Sequence, residues 1–275
     1  MRALRPASVP RVHGMWLSGF RLVVRHMLRR HFRCIRMRGG RVLDSLDARA
    51  PVLVYLNHAS WWDPMLAVFL GERLLAARVH HGVFEAAQLE RYRFFKKLGA
   101  IGVEKESGAG ARALLRQGGG ILSDPRSVLW ITPQGRFADV RERPVKLERG
   151  VSMLCRAYAG SGESPGHPLQ VVPLAMEYFH GEERLPEVAV QWGERVVLPS
   201  SADGSVDWNG LHGRLEGALE SAQDALARAV VARDFGGFEA LLAGRGGVFA
   251  PYDWWRSLRS RVAGTPCELN HRGNL

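Results

Sequence analysis

The sequence predicts an α/β protein with a single domain, in which a mostly parallel central sheet is flanked by helices. Short apolar runs typical of buried strands alternate with helical stretches of about ten residues, as in sheets built from strand-helix-strand units. The chain has 275 residues, of which 46% are hydrophobic, enough for one large core. No internal repeat and no low-complexity linker interrupts residues 50–245, so we expect no domain boundary there.

Three segments are predicted. Residues 1–45 form a basic, amphipathic, membrane-associating helical segment, residues 46–245 form the α/β domain, and residues 246–275 form an aromatic and basic segment with a disordered tail. Arginine recurs through the first forty residues, which contain no acidic residue, and this is too frequent for a membrane-spanning helix. Seven apolar residues of this segment share one helical face: Trp16, Leu17, Phe20, Val23, Val24, Met27 and Leu28. That face either enters a membrane interface or packs on the protein's own core, and both alternatives stay open.

Within the domain, strands and helices are predicted from apolar periodicity and from glycine breakers. The predicted strands span residues 51–56, 76–80, 100–105, 127–132, 169–176 and 188–192. The predicted helices span residues 64–75, 85–98, 109–117, 150–159 and 211–233. Three consecutive glycines at 118–120 are expected to end the third of these helices.

The charge of the chain constrains its partners. A formal net charge of +11 favours an acidic partner, which could be nucleic acid, an anionic membrane surface or a phosphate-bearing substrate. The basic residues are interleaved with large apolar ones and no nucleic-acid-binding motif is recognisable, so we expect a membrane surface and no nucleic acid. Cys34, Cys155 and Cys267 are too scattered for a disulfide framework or a zinc site. We therefore expect a cytoplasmic protein, peripheral on the inner face of the cell membrane.

His58 and Asp63 follow the first strand of the domain and are the candidate catalytic residues. A histidine oriented by a carboxylate can take a proton from a hydroxyl as that hydroxyl attacks a carbonyl. The alternative is structural, with Asp63 as a helix cap and His58 as an ordinary polar residue. A hydrolase that uses His58 to activate water for attack on a thioester is a further alternative.

A second candidate region follows the strand at 127–132. Pro133, Gln134, Gly135, Arg136 and Phe137 form a predicted tight turn that can present backbone N–H groups to a substrate. The next segment, residues 141–149, is rich in arginine and lysine. It is either a solvated charged loop or a binding segment for an anionic substrate.

Four motifs in fixed order resemble the glycerolipid acyltransferase family, of the lysophosphatidic acid acyltransferase type. They are Asn57-His58-x-x-x-x-Asp63, then Gly99-x-Ile101-x-Val103-x-Lys105, then Pro133-Gln134-Gly135-Arg136, then Val172-Pro173. Together they cover roughly residues 50 to 180. The resemblance implies an O-acyltransferase that moves a fatty acyl group from acyl-CoA or acyl carrier protein to a hydroxyl of a lipid acceptor, without metal or prosthetic group.

The resemblance also implies roles for individual residues. His58 would be the general base and Asp63 would orient it, while Lys105 stands where the family usually has an arginine that holds the acceptor. Gly135 keeps the glycine of the third motif, and Pro173 belongs to the fourth, which lines the site in the family.

The third motif departs from the family, which usually has proline-glutamate-glycine-threonine-arginine. Here Gln134 replaces the glutamate, and Phe137 occupies the position of an arginine associated with the acceptor's phosphate. Arg136, Arg141 or Arg143 could bind a phosphate instead. Alternatively, the acceptor is a non-phosphorylated lipid such as a glycosylated or amino-acid lipid. A different class, a non-catalytic lipid- or nucleic-acid-binding protein, is the remaining alternative.

Overall fold

A computed structural model describes residues 9–159, 168–198 and 208–244, together with Trp255, Leu258 and Arg259. The rest of the segment 246–275, including its predicted disordered tail and Cys267, lies outside the described residues. The strands are β1 Cys34–Arg38, β2 Val52–Leu56, β3 Val79–Glu85, β4 Ile101–Val103, β5 Ser127–Ile131, β6 Gln170–Phe179, β7 Glu187–Trp192 and β8 Glu239–Ala243. The helices are α1 Gly14–His31, α2 Arg41–Asp44, α3 Asp63–Leu74, α4 Ala86–Arg91, α5 Gly108–Leu122, α6 Gly150–Ala159 and α7 Asn209–Ala232, with a 3-10 helix at Arg93–Lys97.

All eight strands form one mixed sheet in the order β4-β3-β5-β2-β6-β7-β1-β8. The pairs β4-β3, β3-β5, β5-β2, β2-β6 and β7-β1 are parallel, whereas β6-β7 and β1-β8 are antiparallel. The predicted α/β class with a mostly parallel sheet is confirmed. Because β2 lies at the centre, its five residues are all buried, which explains why its sequence is a continuous apolar run instead of an alternating one.

Two large apolar clusters cover the two faces of the sheet. One contains Val54 and Leu56 of β2 with residues of α1 and α3, and the other contains Leu53 and Tyr55 of β2 with residues of α5, α6 and α7. Successive side chains of a strand point to opposite faces, so β2 contributes to both clusters. The sheet is therefore the middle of three layers.

Three sequence predictions are corrected by the structure. The second strand was expected at 76–80 and runs over Val79–Glu85, while β1 and β8 were not predicted. The helix expected at 109–117 continues to Leu122, through the three glycines. A Cβ on Gly118 would lie 3.1 Å from Leu154 Cδ1, so the missing side chain lets α5 pack closely against α6 instead of ending the helix.

Helix α1 packs part of its apolar face on the protein's own core, which was one of the two alternatives for the amino-terminal segment. Val24 and Leu28 are buried in the core, and Phe20 packs against Phe94 and Phe95 with ring centroids 5.1 and 5.6 Å apart. Outside this contact the helix exposes several large apolar residues, namely Met15, Trp16, Leu22 and Val23. Among the described residues, no helix is both long and apolar enough to cross a membrane.

Candidate active site

The carboxyl ends of β2 and β5 lie side by side at one edge of the sheet. Their parallel register pairs Tyr55 with Ile131, and extending it by three residues places His58 beside Gln134. The backbone N–H of His58 donates to Gln134 Oε1 at 2.8 Å, and the carbonyl oxygen of His58 accepts from the backbone N–H of Ala138 at 2.9 Å. The turn after β5 therefore holds both main-chain polar groups of His58.

His58 and Asp63 form a hydrogen-bonded pair. The distance between His58 Nδ1 and Asp63 Oδ2 is 2.7 Å, and the Asp63 side chain is only 1% exposed while that of His58 is 22% exposed. Because an ionised carboxylate only accepts hydrogen bonds, Nδ1 carries the proton and Nε2 keeps a free lone pair. Asp63 is also the first residue of α3, where the helix dipole favours a negative charge. This arrangement produces an oriented histidine with its basic nitrogen unoccupied.

Asp63 accepts two further hydrogen bonds. The backbone N–H of Ser60 donates to Oδ2 at 3.1 Å, and the phenol of Tyr178 donates to Oδ1 at 2.6 Å. Burial and the nearby Asp63 carboxylate raise the pKa of Tyr178 well above its usual value, so the phenol stays protonated and can only donate to this carboxylate. Both carboxylate oxygens are thereby fixed, which fixes the imidazole in turn.

Tyr178 was not identified from the sequence. It lies two residues beyond the strand predicted at 169–176, which in the structure extends to Phe179. The parallel register of β6 with β2 pairs Leu174 with Leu56, so the continuing strand passes His58 and reaches Asp63. Nothing in the sequence marked this extension, because it depends on the antiparallel partner β7, which pairs with β6 as far as Phe179.

The residue before His58, Asn57, is held in place by hydrogen bonds from its side chain to β6. The side chain of Asn57 is 1% exposed, donates from Nδ2 to the Met176 carbonyl oxygen at 2.9 Å and accepts at Oδ1 from the Met176 N–H at 2.8 Å. A buried amide with both ends paired defines one conformation of the chain. The Phe32 ring, at the end of α1, packs against Trp62 and Tyr178 with centroid distances of 5.1 and 5.9 Å.

A cavity of about 970 Å³ opens beside the pair and contacts both His58 and Asp63. Apolar side chains from α1, α3, β3, the 3-10 helix and β5 line much of it: Leu17, Met65, Val68, Val83, Phe84, Phe95, Leu98, Trp130 and Ile131. A cavity of this size with a largely apolar wall is typical of a site that binds a ligand with a large apolar part.

The cavity brings together six of the predicted site residues: His58, Asp63, Lys105, Gln134, Gly135 and Arg136. The structure does not bring the other three to its lining. Arg141 forms an exposed ion pair with Asp139, Arg143 binds Asp224 of α7, and Pro173 is buried within β6, where it contacts Gly193. The basic segment after β5 thus pairs mainly with the protein's own acids.

Two cations that do line the cavity are also paired with carboxylates. Lys105 Nζ lies 2.7 Å from Glu85 Oε2, and Arg136 pairs with Glu142. The ring of Phe137 lies over the imidazole of His58, with centroids 4.1 Å apart and planes 33° apart. The turn that carries Phe137 depends on Gly135, whose φ of +67° strains any residue with a side chain.

His80 also lines the cavity but differs from His58, because both of its ring nitrogens are occupied. Nε2 donates to the Leu75 carbonyl oxygen at 3.0 Å, and Nδ1 accepts from Trp130 Nε1 at 3.1 Å. Burial lowers the pKa of His80 to about 4, so its ring is neutral at physiological pH. Of these two histidines, His58 is the one whose hydrogen bonds leave a ring nitrogen available to a substrate.

The described residues contain no cluster of three or more histidine, cysteine, aspartate or glutamate side chains placed to hold a metal ion. Cys34 and Cys155 are free and buried, and burial raises the pKa of the Cys155 thiol to about 12. A thiol with such a pKa is a weak nucleophile at neutral pH.

Comparison with known proteins gives a structural match only. No protein-family profile and no curated protein sequence matches this chain. The fold is similar to the crystal structure of the 1-acyl-sn-glycerophosphate (LPA) acyltransferase PlsC from Thermotoga maritima, with a TM-score of 0.50 and 14% sequence identity. The match covers 76% of this chain and 79% of the other. At this identity the likeness shows a shared α/β fold.

Proposed function

We propose that the protein is an O-acyltransferase that moves a fatty acyl group from a thioester donor, acyl-CoA or acyl carrier protein, to a hydroxyl of a lipid acceptor. The observation that carries the proposal is the His58–Asp63 hydrogen bond of 2.7 Å at the wall of a largely apolar cavity. The fold shared with a bacterial acyltransferase and the order of the four sequence motifs support the same reaction.

In this reaction His58 acts as the general base. Its Nε2 takes the proton of the acceptor hydroxyl while the oxygen bonds to the acyl carbonyl carbon, and Asp63 stabilises the resulting imidazolium. The C–S bond then breaks, and the proton passes from His58 to the departing thiolate. The products are an ester and a free thiol, and general-base catalysis of this kind contributes about 10²- to 10⁴-fold.

The turn after β5 supplies candidate donors for the negative charge that develops on the carbonyl oxygen. The N–H of Gly135 is used within the turn, where it donates to the Thr132 carbonyl oxygen at 3.2 Å. The backbone N–H groups of Gln134 and Arg136 are the remaining donors of this turn on the cavity lining. Preorganised donors of this type stabilise a tetrahedral oxyanion.

The apolar wall of the cavity provides the environment for a fatty chain, and the exposed face of α1 provides one for the membrane that holds the acceptor. Met15, Leu22 and Val23 are 86%, 63% and 51% exposed, and Arg29 and Arg30 are exposed on the same helix. Apolar residues beside arginines suit an anionic membrane interface, where each basic residue contributes about 1 kcal/mol. The protein would therefore be a peripheral membrane enzyme that binds its acceptor at the membrane surface.

The test is thiol release from acyl-CoA by the purified full-length chain with a panel of hydroxylated lipid acceptors in detergent, with acylated products identified by mass spectrometry. His58→Ala should lower the rate at least 100-fold, because no other described histidine on the cavity combines the Asp63 contact with a free nitrogen. His180→Ala changes an exposed histidine outside the cavity lining and should leave the rate within about twofold. Retention of more than a tenth of the rate by His58→Ala would refute the proposal.

A further inference from the structure

The charge of the cavity differs from that of the protein as a whole. The chain has a net charge of +11, but the cavity lining carries no net positive charge. Its carboxylates are Asp63, Glu85, Glu104, Glu106 and Glu148, and its permanent cations are Arg21, Lys105, Arg136 and Arg149. A phosphate monoester carries close to two negative charges at neutral pH and would meet more acids than bases here.

Two of the four cations already pair with carboxylates, and a third lies away from the turn after β5. Lys105 and Arg136 are held by Glu85 and Glu142. Arg21 lies near His80, whose pKa it helps to lower, and His80 pairs in register with Val128 at the opposite end of β5 from the turn. Arg149 follows Glu148 directly, and the Glu148 side chain lies against Gly135. A phosphate here would compete with the carboxylates already paired with Lys105 and Arg136, or would lie close to the Glu148 carboxylate.

Exposed aromatic rings replace basic groups beside the catalytic pair. Phe137 is 59% exposed and Trp61 is 53% exposed, and both line the cavity. The Phe137 ring lies over the His58 imidazole, and Trp61 is the third residue after His58 in the chain. The face of an aromatic ring carries partial negative charge and attracts weakly positive C–H groups. Ionised carboxylates accept hydrogen bonds from hydroxyl groups. Aromatic faces combined with carboxylates suit a neutral headgroup with many hydroxyls, such as a sugar ring.

We infer that the acceptor is a lipid with a neutral, polyhydroxylated headgroup, such as a glycosyl group, and not a phosphate monoester. The inference rests on the proposed function. A C–H face of the headgroup packs on Phe137, other hydroxyls donate to the cavity's glutamates, and one hydroxyl meets His58 Nε2. That oxygen forms the bond to the acyl carbon as the C–S bond breaks, and its proton leaves on the thiol.

The test compares acceptors that each have one long chain and at least one free hydroxyl and that differ in the headgroup: a single-chain glucoside, lysophosphatidic acid and a single-chain ammonium lipid with a hydroxyl group. The full-length chain is assayed with palmitoyl-CoA in one neutral detergent, and kcat/KM is measured by thiol release and by mass spectrometry of the ester. We expect kcat/KM for the glucoside to exceed that for lysophosphatidic acid at least tenfold. A preference for either charged acceptor would overturn the inference.

Variants of Phe137 test whether its ring determines the preference for the glucoside over lysophosphatidic acid. Phe137→Arg should lower kcat/KM for the glucoside at least fivefold and raise it for lysophosphatidic acid, because a guanidinium binds phosphate. The matched control Phe137→Leu removes the ring without adding charge, so it should lower the glucoside rate and leave lysophosphatidic acid unimproved. An unchanged ratio of the two rates in Phe137→Arg would overturn the role of the ring.

The same assays separate this inference from the proposed function. Thiol release that depends on His58 and occurs with lysophosphatidic acid, but not with the glucoside, would keep the function and reject the acceptor class. If no acceptor raised thiol release above hydrolysis in the wild type, the function would fail, and the acceptor class would fail with it.

Discussion

The ends of β2 and β5 are neighbours in the sheet but differ in how their polar groups are satisfied. After β2, the buried carboxylate of Asp63 is hydrogen-bonded to His58, Ser60 and Tyr178. After β5, Arg136 and Arg141 are exposed and pair with nearby Glu142 and Asp139. The first region therefore holds its carboxylate in one place through buried contacts, whereas the charged side chains of the second can change with less effect on the His58–Asp63 pair.

The largest fall in kcat is expected from Asp63→Asn, a substitution in the buried region after β2. The amide cannot stabilise an imidazolium, and its N–H₂ group can favour the wrong tautomer of His58, so kcat should fall on the order of 10³- to 10⁴-fold. Thiol release under saturating substrate measures it. Asp139→Asn, which removes an exposed carboxylate paired with Arg141, is the matched control and should change kcat less than twofold. A loss below tenfold in Asp63→Asn would mean that the carboxylate does not orient the base.

Tyr178→Phe should give a smaller loss, about three- to tenfold in kcat, since it removes one donor to a buried carboxylate and keeps the ring. Without that donor, negative charge concentrates on the oxygen that faces His58 and favours the imidazolium. The acidic limb of the kcat/KM profile should therefore move to higher pH. Tyr55→Phe, which loses the bond from the phenol to the Leu215 carbonyl oxygen, should lower stability without moving that limb. If the acidic limb of the kcat/KM profile did not move in Tyr178→Phe, Tyr178 would contribute only to packing.

The raised pKa of Tyr178 also has a consequence for stability at high pH. Folding holds the phenol in its neutral form, so its contribution to the free energy of unfolding is complete below the unfolded pKa of about 10 and is lost as the pH rises towards the folded value. Urea unfolding between pH 9 and 11.5 should show a steeper alkaline loss for the wild type than for Tyr178→Phe. Equal slopes would contradict the raised pKa.

Gln134 joins the two regions, because its side chain comes from the β5 turn and accepts from the His58 backbone. Gln134→Glu keeps an oxygen at that place and should retain kcat within about threefold. Gln134→Leu leaves the His58 N–H without its acceptor, which costs about 1–3 kcal/mol, and should lower kcat roughly tenfold. Equal activity of the two variants would show that this contact does not position His58.

The smallest effects are expected in the basic segment after β5. Arg141→Ala removes an exposed ion pair and should leave the free energy of unfolding almost unchanged. Arg143→Ala should cost slightly more, because Arg143 donates from two nitrogens to Asp224 Oδ1 at 2.8 and 2.6 Å. Both should leave the KM for the acceptor within about twofold. A large rise in KM for either variant would place it in the binding site.

The sequence predicted those features that depend on local pattern. The apolar run of β2 and the spacing of His58 and Asp63 were enough to place a candidate base where a strand meets a helix, and the structure has α3 begin at Asp63. The aromatic stacking of Phe137 and the contact of Tyr178 required tertiary information, since their partners lie 79 and 115 residues away. The three glycines misled the prediction because α5 continues through them, and close packing of α5 against α6 accounts for Gly118.

Phe32 links the amino-terminal helix α1 to the candidate active site. It follows α1 immediately, and its ring contacts that of Tyr178, whose hydroxyl holds Asp63. One aromatic ring and one phenol thus separate the end of α1 from the carboxylate behind the base. The packing at the carboxyl end of α1 therefore helps to position the phenol that donates to Asp63.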